Sequence, residues 1–227
     1  MKKKNVMPVF IAMLVLSAVH LIAAVIAVTK LPEVVPVHFD INMVCDKTGS
    51  PWFLVPVAVM PLIVAALTTV MLLTGFIKQL KITAIVTVIL TLFSGAMFWL
   101  MYAVMSDGVQ LGEKGDSPIF TTAVPMMLAV LFICIGNYMP VMEPSDKPLN
   151  SMGFRVKWTL ENPNCWRKTH RFAGRITVAV GLVLLLVYLL ALILKWNSAP
   201  WMFILLMCGL GVALIVPTVY AYQHRND

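Results

Sequence analysis

The 227-residue chain is 60% apolar and only 12% charged, with a mean hydropathy of +0.91, whereas about a quarter of the residues in ordinary soluble domains are charged. This composition excludes a water-soluble globular enzyme and implies an integral membrane protein. The net charge of +7 gives no reason to invoke a direct nucleic-acid partner, because the excess Lys and Arg collect in short loops, as membrane topology requires.

A bilayer core about 30 Å thick takes roughly 20 mainly apolar residues per helix. Six segments reach that length: about 6–28, 53–76, 83–105, 119–140, 173–194 and 200–222. The first follows the basic start "MKKK", as a signal peptide would. Its apolar run, however, is longer than the roughly 7–15 residues of a signal h-region, and no small-x-small cleavage site ends it, so it reads as a retained span. Inside it, His20 reads as a packed, hydrogen-bonded histidine. All ten Asp and Glu fall outside the six segments, which argues against a proton-coupled pump. Thirteen of the seventeen Lys and Arg lie on the side of the two termini, among them Lys2, Lys78 and Lys147; the other side holds Lys30, Lys47, Lys114 and Lys195. Both termini are therefore expected to be cytoplasmic. Cys134 and Cys208 read as membrane core, Cys165 as cytoplasmic and Cys45 as a lone outer thiol, so no disulfide framework is expected.

Between the first two spans lies "LPEVVPVHFDINMVCDKTGSPW". From Val35 the chain alternates: Val35, Val37, Phe39, Ile41 and Met43 are apolar, while His38, Asp40 and Asn42 are polar. That period reads as a short strand with one buried face, and "DKTG" reads as the turn after it, with Gly49 supplying a permissive backbone. His38 and Asp40 would share a face, with Asp46 returning near them. Such a trio can be a solvated polar face, a ligand-contacting face, or a metal or acid/base site.

The fourth span ends in "GNYMP", where Asn137 is costly in hydrocarbon unless paired; bonding to the adjoining loop would order "GFRVKWTL" against the bundle. Asn162 before Pro163 is a helix start, since Asn caps free amides and Pro suits the first turn. In the helix that follows, Arg167, Arg171 and Arg175 recur every four residues as one stripe, and Trp166, His170 and Ala173 occupy a neighbouring face. A basic stripe and a tryptophan at headgroup depth suit a membrane interface beside anionic lipid, and equally a docking surface for a cytoplasmic partner. Pro56, Pro61, Pro125 and Pro217 can kink their spans, which by itself does not imply transport.

Two pieces of the sequence resemble the bacterial SdpI-like family, immunity proteins against sporulation-delaying protein, in its longer form with an amino-terminal domain of unknown function. Pro36, His38, Asp46 and Gly49 match the amino-terminal module, with Met43 standing where that module usually has glycine. "GNYMP", "MGFRVKWTL" and "WRKTHRFAGR" match the immunity domain in order and spacing, at Gly136, Asn137, Gly153, Arg155, Trp158, Thr159, Leu160, Trp166, Thr169, His170 and Gly174; Lys157 stands where proline is frequent.

The resemblance implies a multi-pass protein of the bacterial plasma membrane that protects the cell from a secreted, membrane-active peptide toxin. It further implies signalling by capture of a transcriptional repressor at the cytoplasmic face. On that basis His38, Asp40 and Asp46 are the ligand-contacting residues of the outer loop; Asn137, Arg155, Trp158, Trp166, Arg167, Thr169, His170 and Arg171 are the docking or structural residues of the inner one. The partners implied are a peptide toxin, a cytoplasmic repressor and the lipid bilayer, with no cofactor. Two alternatives stand beside it: a membrane hydrolase using His38 with Asp40 or Asp46, although no HExxH or GxSxG motif is present, and a small peptide or lipid transporter. The expected architecture is an all-α polytopic membrane protein with six transmembrane helices. It has a short extracellular β-like hairpin between the first two and an amphipathic juxtamembrane helix before the fifth. Residues 1–82 would form an amino-terminal module and residues 83–227 an immunity-type membrane domain.

Overall fold

The structure, a computed structural model, describes residues 3–76, 79–115, 119–144, 153–196 and 199–226. Lys2, Lys78 and Lys147, which entered the charge reading, lie outside the described residues. Helix α1 (Lys3–Val28) leads into strands β1 (Val35–Phe39) and β2 (Cys45–Gly49). A 3-10 turn (Pro51–Leu54) then opens α2 (Val55–Leu73), and α3 (Leu80–Ser106) follows. A π turn (Ile119–Ala123) opens α4 (Val124–Tyr138), which tightens into a 3-10 turn at Met139–Val141. Short α5 (Lys157–Glu161), long α6 (Pro163–Ile193) and α7 (Ala199–Gln223) complete the chain. All except α5 are long and apolar enough to cross a membrane, which makes this a multi-pass membrane protein.

The hairpin lies between the first two spans, but it reverses earlier than the sequence pattern indicates. "DKTG" is part of β2 and runs antiparallel to β1; the reversal falls at residues 40–44. Asp40 decides this, because its carboxylate accepts from the amides of Asn42 (2.9 Å) and Val44 (2.8 Å), while its carbonyl accepts from Met43 N (2.9 Å). Such an Asx turn gives the backbone a local alternative to continued strand. Met43 takes φ +64° within it, a left-handed conformation that favours glycine. The loop after α3 then lies along the far edge of β2: Cys45 N donates to Glu113 O (2.9 Å), Gly112 N to Cys45 O (2.8 Å) and Gly115 N to Met43 O (2.8 Å).

Helices α1, α2 and α3 pack together through Ala24, Ala58 and Phe98 at the hairpin end, and through Phe10, Leu72 and Ala84 at the end that carries the termini. The other helices gather around α6, which approaches α4 most closely. A Cβ built at Gly174 would stand 2.7 Å from the Gly136 carbonyl, and one at Gly181 would stand 2.8 Å from the Ala129 carbonyl. Both pairs are separated by seven residues along their helices, two turns, so small residues let the two backbones touch at successive levels.

Gly174→Ala should therefore lower stability in detergent by about 1–3 kcal/mol through overpacking, whereas Gly211→Ala on α7, with nothing within 4 Å of the added carbon, should be neutral or stabilise by up to about 1 kcal/mol. Thermal melts of the two purified variants beside the parent protein measure the contrast.

Candidate functional site

Site residues sit at both ends of the bundle. At the hairpin end, His38 Nδ1 and Asp46 Oδ1 lie 2.6 Å apart, with side chains 65% and 48% exposed. A pair this exposed contributes at most about 1 kcal/mol, so it shapes a surface more than it stabilises a fold. Asp40 does not join them, because its carboxylate is committed to the turn amides. Among the described residues, no group of three or more His, Cys, Asp or Glu is placed to hold a metal ion. Cys45 is free but fully buried, its Sγ 3.6 Å from the Lys47 carbonyl.

Beneath the hairpin lies a cavity of about 550 Å³. Met101 and Met105 of α3, Val124 and Leu128 of α4, and Met202 and Leu206 of α7 form its walls, and β1 forms its roof. Sequence reasoning missed it, since in these spans an apolar residue that faces a chamber is indistinguishable from one that faces lipid.

At the opposite end, the matched motifs fold into one interlocked cap. Asn162 caps α6 by accepting from Asn164 N (2.9 Å) and Cys165 N (3.3 Å), while its amide nitrogen donates to Arg225 O beyond α7 (3.2 Å). The amphipathic juxtamembrane segment that starts at Asn162-Pro163 runs on without a break into the fifth span, as the first part of α6. With 31 residues, or about 46 Å at 1.5 Å per residue, α6 exceeds a 30 Å hydrocarbon core and can carry this segment into the interface.

Trp166 is buried and donates from Nε1 to Met142 O (2.9 Å), tying α6 to the end of α4. His170, also fully buried, stacks on the Trp166 ring with centroids 4.0 Å apart. Its Nδ1 lies 2.9 Å from Trp166 O, and its Nε2 lies 2.8 Å from Phe154 N. A carbonyl can only accept and an amide N–H can only donate, so Nδ1 carries the proton, Nε2 is the acceptor and the ring is neutral.

The loop strand thus held begins at Gly153, whose φ of +127° and close approach to His170 Nε2 leave no room for a Cβ. Buried Thr159 continues the interlock: its hydroxyl donates to Phe154 O (2.8 Å) and accepts from Val156 N (3.1 Å). Lys157 is the first residue of α5, a position that tolerates proline because its N–H has no helical partner. Trp158 packs edge-on against Tyr222 (5.0 Å), over which the Arg225 guanidinium lies at 4.1 Å.

Thr169 is fully buried beside Cys165, with Sγ and Oγ1 3.8 Å apart, and Cys165 Sγ reaches Ala221 O at 3.4 Å. Arg155, Arg167, Arg171 and Arg175, in contrast, are all exposed. The basic motif therefore divides into a buried set that builds the cap and an exposed set that faces outward. Asn137 is exposed beside Gln79 and Glu143 in a second cavity of about 560 Å³. The bond that orders "GFRVKWTL" comes from His170 and not from Asn137. His20 is packed as expected, edge-on to Phe98 (5.4 Å) and Trp99 (6.1 Å), but among the described residues its buried Nε2 has no hydrogen-bond partner.

Comparison with known proteins follows the same motifs. Residues 147–221 match the SdpI/YfhL protein family. Over 224 residues the chain is 21% identical to the immunity protein SdpI of Bacillus subtilis (strain 168), covering 98% of this chain and 96% of that protein. No solved structure matches. The resemblance read from the two motif-bearing pieces thus extends along nearly the whole length, and the family match contains the loop, α5, α6 and most of α7.

Replacing His170 by Ala should strand the Phe154 amide and empty the stack on Trp166, at a combined loss of about 2–4 kcal/mol. Hydrogen exchange at Phe154 should accelerate, whereas Arg171→Ala, on the exposed face, should change stability by no more than about 0.5 kcal/mol.

Proposed function

We propose that this protein is a membrane immunity protein of the bacterial plasma membrane, protecting its cell against a secreted, membrane-active peptide toxin. The similarity to the immunity protein SdpI over nearly the whole of both chains carries the reading. Loops rich in Lys and Arg remain inside, so the cap and both termini face the cytoplasm and the hairpin faces outward. The His38–Asp46 pair, exposed on the hairpin, is then the polar surface that a toxin meets first, with Asp40 fixing the turn that presents it.

On the inner side, Arg155, Arg167 and Arg171 stand exposed on a scaffold held rigid by Trp166, Thr169 and His170. This arrangement suits a docking surface for a cytoplasmic repressor, because planar guanidinium groups on a fixed support give directional contacts to carboxylates. A signal between the two faces requires the toxin to bind one conformation of the bundle better than another.

Survival of a toxin-sensitive bacterium challenged with sporulation-delaying peptide tests the reading. Cells that express the parent protein should survive, and His38→Ala at equal membrane abundance should reduce survival. No protection by the parent protein would overturn the assignment. For the inner face, Arg171→Lys retains the charge an anchor needs but loses the planar fork; it should leave insertion and protection intact and weaken co-purification of a repressor.

A further inference from the structure

The middle of the bundle formed by α1, α2 and α3 holds polar atoms that neither end of the molecule uses. One layer of this bundle contains Ala24, Ala58 and Phe98, and another contains Phe10, Leu72 and Ala84. Midway between them, two helical turns from each along the three helices, stand Ser17, Ala65 and Thr91. All three are buried, with exposures of 1%, 0% and 5%, so two hydroxyls and a methyl group share the central level of the span.

Neighbouring hydroxyls show what sets these two apart. Thr69 donates to the Ala65 carbonyl (2.6 Å), Thr87 to the Thr83 carbonyl (2.8 Å) and Ser94 to the Leu90 carbonyl (2.7 Å), each pairing within its own helix. Ser17 Oγ and Thr91 Oγ1 do not. Among the described residues both are buried without a hydrogen-bond partner, and so is His20 Nε2. His20 stands one turn beyond Ser17, and its ring faces Gly95, one turn beyond Thr91. A carbon added at Gly95 would lie 3.8 Å from His20 Cε1 and Nδ1 and 3.9 Å from Pro61 Cγ, which leaves room beside the ring for a group the size of a methyl or a water.

The chemistry of the three groups selects the occupant. A hard cation takes roughly six oxygens or more and favours carboxylates, but every Asp and Glu lies outside the spans. An acyl chain would leave all three polar atoms unpaired, at the full cost of their desolvation. A buried water makes about three hydrogen bonds, and three partners are in place.

We infer that Ser17, His20 and Thr91 form a water-binding site midway across the membrane, where an ordered water bridges α1 to α3. Hydroxyls can donate or accept, and a neutral imidazole nitrogen does whichever its tautomer allows, so one water can satisfy all three. The site is independent of what the hairpin and the cap recognise.

Magic-angle-spinning NMR of the full-length protein in phosphatidylcholine bilayers, isotope-labelled at the histidine ring nitrogens, tests it. The readout is magnetisation transfer from water protons to the His20 ring, whose signal is the one that His20→Phe removes. His20 Nε2 should receive transfer in the parent protein. Ser17→Ala and Thr91→Val each delete one hydroxyl and should weaken the transfer, and the double variant should abolish it. A shared water also couples the two hydroxyls. In thermal melts each single variant should therefore lower Tm, and the double variant should lower it by less than the sum of the two.

No transfer to His20 in the parent protein would overturn the proposal, and that spectrum decides even where a variant fails to fold. A Tm raised by both single variants would overturn it as well, because removing an unpaired buried hydroxyl stabilises a fold. Transfer that persists in the double variant would do the same, by showing water that reaches His20 without Ser17 or Thr91.

Discussion

The contact between α4 and α6 is the constraint on which the half of the molecule opposite the hairpin depends. Gly136 and Gly174 let the two backbones approach to a distance that any side chain would prevent. Only at that separation does the end of α4 bring the Met142 carbonyl to Trp166 Nε1, and only then is the Trp166 ring fixed as a platform for His170. In a bilayer, where apolar side chains gain nothing by leaving lipid, such close packing and polar pairing replace the hydrophobic effect as the source of specificity.

From that platform the interlock extends outward through hydrogen bonds that each need a defined partner. His170 uses both ring nitrogens, one within its own helix and one to the loop. Gly153 makes room for it, Thr159 closes the loop on α5, and Asn162 binds the start of α6 to the end of α7. Buried polar groups are costly when unpaired, so these residues act as a unit that holds the exposed arginines in a fixed array. The hairpin end is built on another principle: backbone pairing and an Asx turn form a roof over an apolar chamber, and the His38–Asp46 pair lies open to water.

Several parts of the fold could be read from residue order alone. Six runs of apolar length dictate six helices, because a bilayer admits no other economical way to satisfy the backbone. Asn162-Pro163 marks the start of α6 as cap chemistry requires, and the alternation after Val35 marks a strand. The turn was misplaced because periodicity describes side-chain faces and is blind to a carboxylate that folds back on its own amides, as Asp40 does. For the same reason the alternation groups Asp40 with His38 and Asp46, whereas of the two carboxylates only that of Asp46, eight residues on, reaches the ring.

The candidate sites divide along the same line. By itself the sequence determined that a membrane protein with a basic loop at one end and a polar hairpin at the other is encoded, since length, hydropathy and charge count act locally and additively. Which motif residues are buried and which are exposed was decided by the tertiary structure. Trp166, Thr169 and His170 alternate with Arg167 and Arg171 along one helix, and only the positions of α4, α7 and the loop determine which stripe is covered. The cavity under β1 likewise exists only once α3, α4 and α7 are in place, because apolar residues facing a chamber and apolar residues facing lipid obey the same rule in one dimension and separate only in three.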